Sequence, residues 1–324
     1  MAEETKALLK AEDSNFAVRF TESVTARVAK TNEGLARLTD RQLQLIHGYF
    51  IGIDRTLKAV EQKRVKDNKN NKDHQYDNNL PYRWSSVDMD ALAWDAYHHA
   101  RSGLDMLEPN HLHPIPFKDN NRNCYTMNLM IGYSGHEYLA KNYAIDPPVS
   151  VTYELVYEND TFKALKKSST TPYDTYVFEV GSPFDRGKCL GGFGYIEFDD
   201  PRKNKLIILT LPEIEKRKPE KASAKFWGSW TDEMRLKTLV RHVCKPKFIP
   251  RDPAKLDESY EYVERRASDY AVLEAQAEID GNANTEPIDI EPVSLPEPEM
   301  TPASMQEVEE PEAVPEASPD IAPY

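Results

Sequence analysis

The chain has 324 residues, with 41 Lys or Arg against 54 Asp or Glu, a formal net charge of −13. Its three cysteines, Cys124, Cys189 and Cys244, are odd in number and far apart, which excludes a disulfide framework and a cysteine metal knuckle and agrees with a reducing compartment. No stretch approaches the roughly 18 apolar residues of a spanning helix, and MAEETKALLKAEDS has neither the basic nor the apolar part of a secretory signal, so a soluble cytoplasmic protein is expected.

The negative charge is concentrated at one end. Residues 271–324 hold 14 Asp or Glu, no Lys or Arg and 9 Pro in 54 positions, and removing those 14 charges from −13 leaves +1 for residues 1–270. A segment so acidic and so poor in apolar runs reads as a disordered tail behind a nearly neutral body.

In chain order, residues 1–38 look weakly helical and polar. After a Thr39–Asp40 cap, Leu43, Ile46, Phe50, Ile53, Leu57 and Val60 follow steps of three and four, predicting an amphipathic helix that docks on the body. The basic, Asn-rich residues 63–80 lack apolar periodicity and are expected to form a mobile loop open to a polyanion, closing an N-terminal region of residues 1–85.

Ser86 or Asp88 caps a second helix bearing Met89, Leu92, Ala93, Ala96, Tyr97 and Ala100, and Gly103 stops it. The connection EPNHLHPIPFKDNNRN follows. Its His111 and His113 have no matching Cys or carboxylate cluster, so neither a metal nor a cofactor is expected.

Tyr125–Ile131 reads as a strand, Gly132 and Gly135 as brackets of a turn, and His136–Lys141 as the start of a helix. Glycine permits positive φ and close backbone approach. Such a corner either offers Tyr133 and the first helical N–H groups to a phosphate or base, or packs Tyr133 and Tyr138 into the core.

Val149, Val151, Tyr153, Leu155 and Tyr157 then alternate with polar residues as a half-buried strand, and Glu158–Asp160 turns it. Tyr176–Val180, Gly192–Phe198 and Leu206–Leu211 supply further strands without long helices between them. The expected class is α+β: an antiparallel sheet packed with helices from the N-terminal and C-terminal parts of the body.

Between Arg202 and Arg251 there are 14 Lys or Arg against 5 Asp or Glu, a local excess of nine positive charges. There Asp232 and Glu233 open a helix with Leu236, Leu239, Val240 and Val243 on an apolar face and Lys237, Arg241 and Lys245 every four residues on another. A cationic stripe of this kind follows a phosphate backbone or simply faces solvent. Phe226, Trp227 and Trp230 beside it stack on bases or plug the core.

Several segments together resemble the RecT family of phage and prophage single-strand annealing proteins. ARSGLDMLEPN with HPIPF is similar to the family's helix end, Leu-x-Pro-Asn loop and hydrophobic-Pro-Phe strand. LMIGYSGHEYLAK is similar to its strand, Ile-Gly-Tyr-basic-Gly corner and Leu-Ala helix. TYELVYENDTF resembles its next strand, and WGSWTDEMRLKTLVRHV its late Trp and Lys-Lys-Thr helix. Ser134 stands where the family has Lys or Arg, and Leu236 at the first Lys of Lys-Lys-Thr.

The resemblance spans about Ala100–Val243 and makes residues 86–270 a DNA-binding annealing core. It implies binding of single-stranded DNA and annealing of complementary strands to a duplex without ATP, as rings or helical filaments of the chain itself, with a phage exonuclease and the host single-strand-binding protein as partners. The missing GxxxxGK[ST] loop agrees with ATP independence. On this basis Lys118, Arg122, Lys141, Lys225, Lys237 and Arg241 are assigned to phosphates, with Arg235 and His136 beside them. Thr238 and Ser134 donate hydrogen bonds, and Tyr133 and Trp227 stack or wall the groove. The acidic tail competes for that groove, docks a partner or only solubilises the chain. The competing readings are an adaptor that oligomerises without binding DNA, and a metal-dependent nuclease using Asp95, Asp105 or Asp119 with His98 or His113.

Overall fold

The computed structural model describes residues 2–31, 37–71, 78–218, 228 and 230–267, all within one compact unit, Met1–Glu286. The tail, Lys225, Phe226, Trp227 and residues 72–77 of the basic segment lie outside the described residues. No helix among the described residues is long and apolar enough to cross a membrane.

The first three helices are α1 (Ala2–Thr31), α2 (Asp40–Asn70) and α3 (Met89–Arg101). In the polar-looking α1, Phe20, Val24 and Val28 recur every fourth residue and are buried in a core shared with α2 and α3. Thr39 caps α2 through a reciprocal pair of hydrogen bonds with Gln42, at 3.3 and 2.9 Å, worth about 1 kcal/mol. Leu45, Ile46, Tyr49, Ile53 and Leu57 are buried, so the seam docks on the body as expected, while Leu43 stays 39 % exposed.

The basic segment departs from expectation, because α2 continues to Asn70. Its polar side chains serve as a clamp in place of an apolar stripe. Arg64 pairs with Glu61 at 2.7 Å and donates to the Asn78 carbonyl at 2.6 Å. Asn68 exchanges two hydrogen bonds with the Asn78 backbone, at 2.9 and 3.2 Å.

After α3, capped by Asp88 and ended at Gly103 (φ 79°), an antiparallel hairpin pairs β1 (Leu112–Asp119) with β2 (Cys124–Ile131). β1 occupies much of the presumed connection. Among the described residues it has a partner strand on one side only, so Pro114 and Pro116 sit on an edge strand where a missing N–H is tolerated.

Then follow α4 (Tyr133–Asn142), β3 (Ser150–Tyr157), β4 (Thr161–Leu165), β5 (Thr175–Glu179), β6 (Cys189–Glu197), β7 (Lys205–Thr210) and α5 (Leu211–Glu215). The last helices are α6 (Thr231–Val243) and α7 (258–267). β3, β6 and β7 form an antiparallel sheet in the order β3-β6-β7, and β4 pairs with β5 in a separate hairpin. The fold is α+β.

That sheet is covered on both faces. Phe162, Tyr176 and Phe178 of the β4–β5 hairpin pack on Val156, Phe193, Tyr195 and Leu206. On the other face, Leu239, Val240 and Val243 of α6 pack with Ile196, Ile207 and Leu209. A Cβ at Gly194 would lie 2.4 Å from a Val243 methyl, and one at Gly192 3.0 Å from a Leu239 methyl, so the bare backbone of β6 lets α6 sit close. α4 joins the two halves, with Leu139 in the helical core and Ala140 in the sheet core.

Candidate nucleic-acid interface

The corner that follows β2 is built by exclusion of side chains. Gly132 is the cap of α4, and the helix begins at Tyr133, three residues before the predicted start. A Cβ at Gly132 would be 2.0 Å from the Asn110 carbonyl oxygen, and one at Gly135 2.5 Å from that of His111. The two glycines therefore admit the 108–111 loop instead of bracketing a turn. The Gly135 N–H donates to the Asn110 carbonyl at 3.2 Å, so this helical donor is taken by the protein itself. Asn110, at φ 59°, also donates through its side chain to the Tyr133 hydroxyl at 2.9 Å. Tyr133 remains 38 % exposed, whereas Tyr138 packs against the helical core. Asn110 was not among the sequence-assigned residues. Its position beside a Pro, and the tolerance of Asn for left-handed backbone, were the available signals.

α4 packs against α6, and this contact unites the corner with the basic helix. His136 lies at the junction with its Nε2 buried and without a hydrogen-bond partner. Its pKa is pushed down to about 3, first by burial and then by the charges of Arg241, Lys237 and Arg251. Arg251 beneath is itself buried, donating to the Tyr260 hydroxyl at 2.8 Å and to the carbonyls of Ile249 and Cys244 at 2.5 and 2.6 Å. Arg241 also reaches the Ala267 carbonyl, at 3.4 Å.

Other assigned residues are engaged within the protein. Arg235 is held by Glu215 and Asp232, each at 3.0 Å, and the Thr238 hydroxyl donates to the Met234 carbonyl at 2.8 Å. Lys141 is exposed on α4 and lines a small cleft with Glu137, whose carboxyl burial pushes upward and Lys141 pulls back. Leu236, expected on the apolar face, is 38 % exposed. Trp230 caps α6 and is 56 % exposed, the described aromatic nearest the basic helix in sequence.

Lys118 and Arg122 lie elsewhere. They sit at the closed tip of the β1–β2 hairpin, whose register pairs Asp119 with Cys124, while the corner follows the other end, where Leu112 pairs with Ile131. Seven strand steps separate the two ends, roughly 23 Å. Arg122 donates to Asp88 at 2.6 Å, so it braces the cap of α3.

The carboxylates considered for a nuclease are dispersed. Asp95 is buried, accepting from the Tyr262 hydroxyl and from Arg266 at 3.0 Å. Asp105 is paired with Arg41 at 3.3 Å, and Asp119 accepts the Asn121 and Arg122 N–H groups of its own turn. His98 is stacked on Tyr262 at 4.2 Å between ring centroids. No group of three His, Cys, Asp or Glu side chains among the described residues forms a metal-ligating set.

Residues 87–270 match the RecT family, more than half of the chain. The chain belongs to the RecT family. No curated protein sequence matches it. Membership places this RecT protein among those of phage-type single-strand annealing recombination. The family match encloses α3, the β1–β2 hairpin, the corner, the sheet and α6.

Proposed function

We propose that the protein binds single-stranded DNA along the face where α4 meets α6 and anneals complementary strands without ATP. The observation that carries this is the packing of α4 against α6, which buries His136 of α4, its Nε2 unpaired, beside the cations Arg241, Lys237 and Arg251. Such a group of cations is stabilised by an anion, and phosphate binding releases condensed counterions from the strand. Tyr133 and Trp230 are exposed aromatic faces for base stacking.

Annealing needs no nucleophile or general base. It needs neutralised backbones, base edges left free and room for a second strand. In this reading the protein works in the cytoplasm of a bacterial or phage-infected cell, self-associates along the strand, and receives single strands from a phage exonuclease in the presence of the host single-strand-binding protein.

The test is annealing of two labelled complementary oligonucleotides by purified protein, without nucleotide, at two salt concentrations. Acceleration that weakens with salt is expected. No acceleration by folded protein on intact strands refutes the reading and favours an adaptor, whereas degraded strands point to a nuclease.

A further inference from the structure

The loop between β5 and β6 carries Phe184 at its apex, and the ring is fully exposed, with a relative accessibility of 102 %. A loose loop would account for that, but this one is fastened. Arg186 forms an ion pair with the fully buried Asp160 side chain at 2.5 Å and donates to the Leu155 carbonyl at 2.9 Å. Asn159 and Glu158 donate their N–H groups to Arg186 and Lys188, both at 3.0 Å, and the Asn159 side chain donates to the Asp185 carbonyl at 2.9 Å. Gly181 passes so close to the Asn159 carbonyl that a Cβ there would lie 2.2 Å from it. The loop is thus pre-organised to hold an aromatic ring that touches nothing. Rigid, projecting aromatics of this kind are the anchors of protein interfaces, because little further ordering is lost on binding.

Nucleic acid is a poor occupant here. The exposed charged residues of the loop and of the segments it joins or is fastened to are Glu158, Glu179 and Asp185 against Lys188, a net of −2 with Arg186 and Asp160 paired, which disfavours phosphates. The opposite end of the same sheet has complementary features. Beyond the start of β3 and the end of β6, roughly 25 Å away along the strands, lies a cavity of about 410 Å³ with Ile145, Phe198 and Pro250 as its apolar surface. Lys167, Arg202, Lys203 and Lys205 line it against Asp146 and Asp174. With Asp200, which holds Arg202 at 2.9 Å, the site retains a net positive charge. Ile145 is 56 % exposed and its neighbour Val149 59 %.

We propose that Phe184 of one copy seats in the Ile145–Phe198–Pro250 cavity of a second copy. The knob and the cavity are different surfaces at opposite ends of one sheet, so the contact is head-to-tail and each copy keeps one unused knob and one unused cavity. Repetition builds an open or ring-closed series. This contact rests on the proposed self-association and assigns it a surface separate from α4 and α6. The Phe184 ring brings an aromatic burial of about 150–250 Å² to each contact.

The experiment uses the full chain with two variants, Phe184→Asp and Ile145→Asp. Both positions are exposed, and near-UV circular dichroism checks that the fold is kept. Sedimentation velocity over a hundredfold range of concentration reads the assembly. Expected are assemblies for the parent chain, loss to the 37.1 kDa single chain for each variant alone, and a dimer when the two variants are mixed, since one intact knob then meets one intact cavity. Assemblies retained in either folded variant overturn the proposal while self-association stands. Two monomeric variants that fail to pair on mixing overturn the pairing of knob with cavity, and another protein becomes the occupant of the loop. A parent chain that stays monomeric at every concentration overturns both the contact and the self-association it rests on. Binding of an oligonucleotide only long enough for one copy by the Phe184→Asp variant, read by fluorescence anisotropy, is expected to persist within twofold of the parent chain, and its loss overturns the separation of this surface from the DNA face.

Discussion

Two of the polar clusters among the described residues differ in the charges they bring together. Around α3, Asp95 answers Arg266, with Asn128 and Tyr262 completing the hydrogen bonds, and His98 lies stacked beside them. Around α4 and α6, His136 is buried beside the cations Arg241, Lys237 and Arg251, which push its pKa further down. The first cluster contains the residue types of a hydrolytic site yet is closed and neutralised by its own fold. The second holds three cations around its histidine. The competing nuclease reading drew on the residue types of the first cluster, whereas the proposed function places the anion over the second.

The largest expected effect tests the first cluster. Asp95→Ala removes the buried carboxylate that accepts from the partly exposed Arg266 and from the Tyr262 hydroxyl, and losing two hydrogen bonds to a charged group costs roughly 3 kcal/mol. Urea denaturation should show that loss. A stability change below about 1 kcal/mol would mean that the network is not structural.

Next is the seat of the basic helix. Gly194→Val drives a side chain into Val243, and overpacking of this kind costs about 1–3 kcal/mol. Because α6 must move to relieve the clash, single-stranded DNA affinity should fall together with stability. Unchanged affinity in the folded variant would separate the helix position from the interface.

These two positions also show how far the sequence was readable. β3 was legible because polar and apolar residues alternate in Val151–Tyr157, and β6 and β7 because turn-rich segments bound their apolar runs. The basic stripe and the corner were legible as separate pieces. Their meeting was not, because it depends on Gly192 and Gly194, which carry no periodic signal and matter only through what they leave room for. The start of α4 was missed for the same reason: Gly135 resembles a turn residue but is a contact with the His111 carbonyl. The extension of α2 was hidden because Arg64 and Asn68 hold the returning chain by hydrogen bonds, which leave no apolar stripe. Arg122 and Arg235 carry the right charge for phosphates, and only the fold shows the carboxylates that hold them.

The second cluster is tested by Lys237→Ala with Arg241→Ala. Two lost phosphate contacts should lower affinity about tenfold near physiological salt and reduce the slope of log affinity against log salt by roughly 1.4. Arg235→Ala is the control. Already neutralised by Glu215 and Asp232, it should change affinity by less than about twofold and lower stability instead. Equal losses of affinity in the two variants would refute the assignment of phosphate contacts to Lys237 and Arg241 in particular.

The smallest effect is the most selective. Burial holds His98 at about 4, where His99 also presses down and Asp95 raises, and it holds His136 at about 3, with three cations pressing further. In the unfolded chain both titrate near 6.5, so from there down to the folded values the unfolded state binds more protons. Stability should therefore fall as pH drops from about 6.5 toward 4, by up to about 1.4 kcal/mol per pH unit for each histidine. Bound DNA should separate the two. Phosphates placed against Lys237 and Arg241 offset the positive field at His136 and raise its pKa, while His98, beside its own carboxylate, has no reason to respond. Histidine ring resonances followed by NMR through an acid titration, with and without a short oligonucleotide, measure both at once. An upward shift at His136 alone places the anion over the second cluster; equal shifts, or none at His136 with DNA bound, place it elsewhere on the molecule.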